Sequence, residues 1–317
     1  MELLSIIVPC FNEAEAIEKF YTETSAVCAA LPDTRVEYIF VDDGSRDGTL
    51  SILRALAERD GAVRWLSFSR NFGTEAALYA GLEHARGDYA AVMDADLQDP
   101  PELLPELLAA VRCGEYDCAA VRRVDRKGEP PIRSWFARQF YKLINKMSKT
   151  EIVDGARDYR VMTRQMVDSV LSVTEYNRFS KGIFSWVGFR TKWVETVNVE
   201  RAAGESKWSF FKLLVYALDG IIAFSTAPLA IASVLGLLFC LLSFAAIVFV
   251  IVRQLVWGGS AYGWPSLVCI ILFVTGIQLF CVGILGQYLA KTYLEVKGRP
   301  IYILREQGGG GASEKED

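Results

Sequence analysis

Two uncharged stretches constrain this chain more than any other feature. No Asp, Glu, Lys or Arg occurs from Gly220 to Val252, and none from Trp264 to Ala290. About 20 apolar residues cross a bilayer core, so each run is long enough to span one. A buried hairpin in a soluble core is a poor alternative, because cores rarely hold two such runs. Hydrophobic residues make up 52 % of the chain, and the excess lies after residue 220. Arg253 to Gly263 link the runs, and Trp257, Tyr262 and Trp264 suit a membrane interface. Lys291, Lys297, Arg299 and Arg305 follow the second run, whereas the linker carries only Arg253. That positive-inside bias places both termini in the cytosol, with a multi-pass anchor in the inner (plasma) membrane. Gln278 and Gln287 can bond to a neighbouring helix or subunit, and a homo-oligomer is expected.

Ahead of the first span, Trp208, Phe211, Val215, Leu218 and Ile222 recur at three- and four-residue steps, with Lys207 and Lys212 among them. The pattern fits a core-facing helix or an interfacial one, and the apolar run that follows favours the interface. The expected organisation is a globular domain over 1–204, an amphipathic helix over 205–226 and spans over 227–252 and 264–290. A loop over 253–263 joins the spans, and a cytosolic segment runs over 291–317. Residues 308–317, Gly-rich then charged, read as a disordered tail. Glu2 stands where a secretory signal carries basic residues, and the first apolar run is short. The N-terminal domain is therefore expected to stay in the cytosol.

Within the first 200 residues, β-rich runs alternate with helical ones. Leu3–Val8, Val36–Val41, Val63–Phe68, Asp88–Met93 and Tyr116–Val121 read as strands. Helices are expected from an Asn12 cap to about Ala30, from Asp47, over Thr74–Ala85, and after Pro100-Pro101. Such alternation argues for an α/β domain with a mostly parallel sheet covered on both faces. Ligands of these sheets bind outside the carboxyl ends of the strands. Three polar clusters fall there: Pro9–Glu13, Asp42–Ser45 and Asp94–Asp99.

Composition removes several function classes. A net charge of −4 gives no footprint for nucleic acid. One histidine and seven cysteines, none in a Cys-x-x-Cys pair, argue against a zinc site and fit a reducing compartment. No Gly-x-Gly-x-x-Gly follows the first strand, and no Gly-Lys-Ser/Thr loop occurs. A site rich in acids cannot hold a diphosphate directly, because like charges repel. Asp94-Ala95-Asp96, at the end of an apolar strand, can hold a hard cation that bridges carboxylates to phosphate. Two acids at such a corner also serve ordinary turns.

Ile7-Val8-Pro9-Cys10-Phe11-Asn12-Glu13, Val41-Asp42-Asp43-Gly44-Ser45 and Asp94-Ala95-Asp96-Leu97-Gln98-Asp99-Pro100 resemble, in order and spacing, the nucleotide-sugar site of family 2 glycosyltransferases. Phe68 to Gly73, Asp154 to Met162, and Arg201 with Gly204 to Trp208 narrow the likeness. Together with two C-terminal spans, they resemble the polyisoprenyl-phosphate branch, which includes bactoprenol glucosyltransferases and dolichyl-phosphate mannose synthases. The resemblance implies a GT-A-like domain. It implies that Pro9, Phe11, Glu13, Val41, Asp43, Asp94 and Ala95 line the nucleotide sugar. Asp94, Asp96 and Gln98 would surround Mg²⁺ or Mn²⁺ and the diphosphate. Arg201 and Lys207 would clamp phosphate, and Asp158 would be the catalytic base. Thr74 departs from the pattern, since many relatives carry lysine there.

The residues themselves leave some of these roles open. Arg suits a bidentate phosphate contact and Lys a point charge, but basic residues near a membrane also touch anionic headgroups. Asp158 can act as base, orient the acceptor, or hold Arg157 or Arg160. The reading is a metal-dependent, inverting transfer of one hexosyl unit from a nucleoside diphosphate sugar to undecaprenyl or another polyprenyl phosphate. UDP-glucose is the preferred donor, with GDP-mannose, UDP-galactose and UDP-N-acetylglucosamine open. The topology and resemblance imply a separate flippase. A processive synthase would need a Gln-x-x-Arg-Trp motif that the chain lacks. A non-catalytic lipid-presenting scaffold would not need intact acids at three strand ends.

Overall fold

The computed structural model describes residues 1–124, 145, 153–196, 222, 225–257 and 263–310. An eight-stranded sheet organises the N-terminal domain, in the order β7-β5-β6-β4-β1-β2-β3-β8. The first strands are β1 (Glu2–Cys10), β2 (Thr34–Asp42), β3 (Val63–Phe68) and β4 (Tyr89–Val92). These four are parallel neighbours, with β1 between β2 and β4. The chain leaves β1 to build outwards on one side and returns to build on the other. That reversal opens a crevice at the carboxyl ends of β1 and β4.

Successive strand residues serve opposite faces. Ile6 and Val8 join one apolar cluster with Ile17, Phe20, Leu53, Leu56 and Leu104. These come from α1 (Ile17–Ala29), α2 (Thr49–Arg59) and α4 (Leu104–Arg112). Ile7 joins the other cluster, with Ala77, Leu78, Met166 and Ile183. Its helices are α3 (Thr74–His84), α5 (Arg164–Ser172) and α6 (Ser180–Trp186). The α/β, mostly parallel, GT-A-like arrangement expected from the sequence is the one observed.

Antiparallel strands complete the sheet. β6 (Ala156–Thr163) pairs antiparallel with both β4 and β5 (Cys118–Arg123), and β7 (Thr191–Thr196) runs parallel to β5. β8 (Leu304–Gly309) lies antiparallel on β3. The Gly-rich stretch read as the start of a tail is thus partly an edge strand. Glycine makes this pairing possible: at Gly309, φ is +84° and a Cβ would lie 2.2 Å from the Val63 carbonyl oxygen.

Two long helices, α7 (Ala227–Trp257) and α8 (Trp264–Val296), follow the domain. Segments Ala227–Ala246 and Phe273–Val296 are long and apolar enough to cross a membrane, with mean hydropathies of 2.5 and 1.6. Leu237, Phe244, Phe249, Phe273 and Phe280 on these helices are exposed. Arg201, Lys207 and the expected interfacial helix lie outside the described residues, apart from Ile222, Ser225 and Thr226.

Candidate active site

The crevice is built by three loops laced through backbone groups. Asn12 does not cap α1, whose first turn begins at Ile17 without a side-chain cap. It adopts φ of +55° instead, a region Asn tolerates better than most residues. There its Oδ1 accepts from Arg46 N–H at 2.9 Å, and its N–H donates to Ser45 Oγ at 2.9 Å. Glu13 N–H donates to Thr49 Oγ1 at 2.9 Å. Asp47 takes Thr49 N–H at 3.0 Å and Ala14 N–H at 3.3 Å. The Pro9–Glu13 loop is therefore tied to the loop after β2.

Asp42 and Asp43 divide their labour. Asp42 is structural: it accepts from Ser45 N–H at 3.0 Å and Ser67 Oγ at 2.8 Å. Asp43 accepts from Phe72 N–H at 2.6 Å and Gly73 N–H at 2.9 Å, which folds the 69–73 segment around it. Burial pushes its carboxyl up to about 6, against the pull of those two donors. Gly44 makes the approach possible, because a Cβ there would meet the Arg70 backbone at 2.5 Å. The Val41 side chain has no exposed surface and packs in the second apolar cluster, which leaves its backbone to line the crevice. Ala95 is likewise turned into the core at 3 % exposure, and it spaces Asp94 from Asp96.

The acids gather where β4 meets β6. Val92 pairs with Arg160 at the end of that ladder, and just past it the charge of Asp158 acts on Asp94. Asp94 keeps part of its surface open. Burial, then the charges of Asp158, Asp96 and Asp99, push its carboxyl up to about 7, and Lys181 opposes them. Asp99 is pushed to about 6 by burial, with Arg157 as the main opposing charge. The Leu97 backbone is left-handed, with φ of +56°, an uncommon state for a non-glycine residue. It turns the loop so that Gln98 N–H donates to Asp96 Oδ1 at 3.1 Å.

Gln98 Oε1 takes Arg157 Nη1 at 3.3 Å. No group of three or more His, Cys, Asp or Glu among the described residues forms a closed metal cage. Asp94 and Asp96 still suit a hard cation, which commonly takes one or two carboxylates and completes its shell with substrate phosphate and water. Unfavourable crowding of four carboxylates is the condition that such a cation relieves.

Arg157 and Arg160, named from the sequence as candidate partners of Asp158, have further tasks here, and Glu75 and Lys181 escaped the sequence reading. Arg157 pairs with Asp99 at 3.4 Å and so ties the Asp94–Asp99 loop to β6. Arg160 is 2 % exposed. It donates to the carbonyls of Asp158 at 3.2 Å and Arg157 at 2.8 Å, and lies 3.8 Å from the Phe184 ring centre. The hydrogen bonds of Arg160 thus fix the Asp158 backbone, and the Asp158 charge also acts on the guanidinium. Glu75 accepts from both the N–H and Oγ of Ser180, and its carboxyl is raised by burial and by Asp158. Lys181 follows, with its charge acting on Asp94, Asp99 and Glu75. Glu75 and Lys181 carried no sequence signal of their own, whereas Arg157 and Arg160 lie in the Asp154 to Met162 stretch.

Comparison with known proteins shows the family. The profile of glycosyl transferase family 2 matches residues 5–171. The SfII prophage-derived bactoprenol glucosyl transferase of Shigella flexneri is 44 % identical over 307 residues, covering 97 % of this chain and 99 % of the relative. A prophage bactoprenol glucosyl transferase homolog of Escherichia coli K12 is 43 % identical over 302 residues, covering 95 % and 98 %. Among solved structures, glucosyl-3-phosphoglycerate synthase from Mycobacterium tuberculosis, in complex with Mn²⁺, UDP-glucose and phosphoglyceric acid, is similar at a TM-score of 0.47. It is 21 % identical, over 70 % of this chain and 78 % of that one. The chain belongs to glycosyl transferase family 2 and is a glycosyltransferase.

Proposed function

We propose that the enzyme transfers one hexosyl unit, preferably glucose from UDP-glucose, to undecaprenyl phosphate or another polyprenyl phosphate at the cytoplasmic membrane face, with inversion. The observation that carries the reading is the crowding of acids just past the end of β4, where the charges of Asp158 and Asp96 both act on Asp94. Near-full-length identity to bactoprenol glucosyl transferases supports the acceptor class.

The donor's nucleoside would lie over Pro9, Phe11 and Glu13, with Asp43 accepting from the base. Asp94 and Asp96 would hold Mg²⁺ or Mn²⁺, with Gln98 swinging from Arg157 to help. When bound, that cation neutralises the leaving diphosphate. Asp158 takes the proton of a monoanionic acceptor phosphate and orients its oxygen behind the anomeric carbon. A phosphomonoester has a second pKa of about 6, so this help matters most in acid. Arg201 and Lys207 clamp phosphate as the donor diphosphate departs.

The membrane reading rests on the two apolar helices and on β8. Because β8 pairs with β3, the segment after α8 shares a side with the catalytic sheet. Two crossings satisfy that constraint and one does not. The charge bias makes this side the cytosol.

Titration calorimetry of the full chain in detergent tests the donor half. UDP-glucose should bind with Mn²⁺ or Mg²⁺ and lose affinity in EDTA or in Asp96→Ala. Equal binding in EDTA would overturn the cation-bridged site. Tighter binding of GDP-mannose would overturn the donor assignment.

A further inference from the structure

We propose that Glu295 is a positioning residue that registers the membrane-side helix α8 to the acid centre by holding the segment from Tyr176 to Lys181. The inference rests on the acceptor reading above. Glu295 stands one residue before the end of α8 at Val296. Its carboxylate takes Tyr176 N–H at 3.0 Å on each oxygen, Asn177 N–H at 3.1 Å and Asn177 Nδ2 at 3.3 Å. An ionised carboxylate is acceptor-only and fits this cluster of donors. A glutamine in its place would turn an NH₂ group against them.

The held segment leads straight to the site. Arg178, 8 % exposed, donates to the Val173 and Val170 carbonyls and closes the end of α5. Ser180 is clamped by Glu75. Lys181 comes next, with its charge on Asp94 and Asp99. One turn on, Phe184 carries the Arg160 guanidinium that holds the Asp158 carbonyl. The other side of the helix exit is gripped independently. Tyr302 stacks on Phe68 at 5.0 Å and donates to Glu83, and Ile303 O accepts from Ser69 N–H at 3.0 Å. The end of α8 is therefore fastened both to the catalytic sheet and to the segment beside Asp158. A lipid acceptor held by the bilayer meets the acid centre at a height set by this fastening.

A merely structural role would lower stability and every activity together. The test compares wild type, Glu295→Gln and Glu295→Ala full chains. Each is assayed with undecaprenyl phosphate in phosphatidylethanolamine–phosphatidylglycerol vesicles and with farnesyl phosphate in detergent. Cation-dependent UDP-glucose binding and thermal midpoint are measured alongside. The expected result is unchanged donor binding, near-wild-type turnover on farnesyl phosphate, and kcat/KM on the bilayer acceptor lowered about 10-fold, the scale of one charge-assisted hydrogen bond. Unchanged kcat/KM in vesicles overturns the inference, as does a parallel fall in donor binding and both acceptors. Wild-type protein that transfers nothing to either lipid overturns the acceptor reading and this inference with it.

Discussion

Arg160 lies across from Val92 at the end of the β4–β6 ladder, and two residues before it in β6 Asp158 puts its charge on Asp94. The same arginine holds Asp158 in place through its carbonyl. Arg160→Met removes donors from two carbonyls and should destabilise the protein by about 1–3 kcal/mol. Arg160→Lys keeps the charge without the fork and should also lose turnover. Thermal unfolding and transfer rate measured together check this; a stable, fully active Arg160→Met would contradict it.

Asp99 is a buried carboxylate whose recorded ion-pair partner is Arg157. Arg157→Gln should cost about 3 kcal/mol at pH 8, because an uncompensated charge stays buried. The cost should shrink at pH 5, where Asp99 takes up a proton. Asp99→Asn in the same background should restore part of the loss. Urea unfolding at the two pH values reads this, and a deficit independent of pH would count against it.

Asp43 gives a pH window of its own. Its carboxyl is raised to about 6 in the folded chain, from 3.8. The folded state then binds more protons than the unfolded one between these values, so stability is lost as pH rises through the window. The full effect is about 3 kcal/mol, from 1.36 kcal/mol per unit. The stability difference between wild type and Asp43→Asn, followed in EDTA from pH 4 to 8, should change up to about pH 6 and then level. A constant difference would show that Asp43 titrates normally.

For Asp158→Asn, turnover at neutral pH should fall about 10²–10⁴-fold if a proton must move. The deficit should narrow as the acceptor phosphate ionises on its own, above a pKa of about 6. A pH–rate profile from 5.5 to 9 measures it. A loss that is the same at every pH would leave Asp158 an orienting role only.

The first four strands and the three acid-bearing loops were legible because strand periodicity and polar strand ends are local signals. The strands β6 and β8 were not. β6 reads Ala-Arg-Asp-Tyr-Arg-Val-Met-Thr, and its charges find partners only once the sheet exists. Arg160 is buried by Phe184, which lies in α6. β8 reads Leu-Arg-Glu-Gln-Gly-Gly and is held by pairing with β3 and by contacts such as Arg54 with Glu306. Asp43 and Asp94 carried recognisable motifs. Lys181 and Glu75 join the site, and Glu295 holds the Tyr176–Asn177 segment, through contacts between distant segments that no local pattern encodes. At Val41 the motif named the position, and only the fold shows that its side chain belongs to the core.

Mass analysis of the lipid product tests the central claim most directly. The purified full chain is incubated with undecaprenyl phosphate, Mg²⁺ or Mn²⁺, and UDP-glucose beside other sugar nucleotides. The account predicts a lipid phosphate carrying one hexose, formed from UDP-glucose and absent in EDTA or with Asp96→Ala. A lipid carrying several sugars, or no lipid product from any donor, would contradict it.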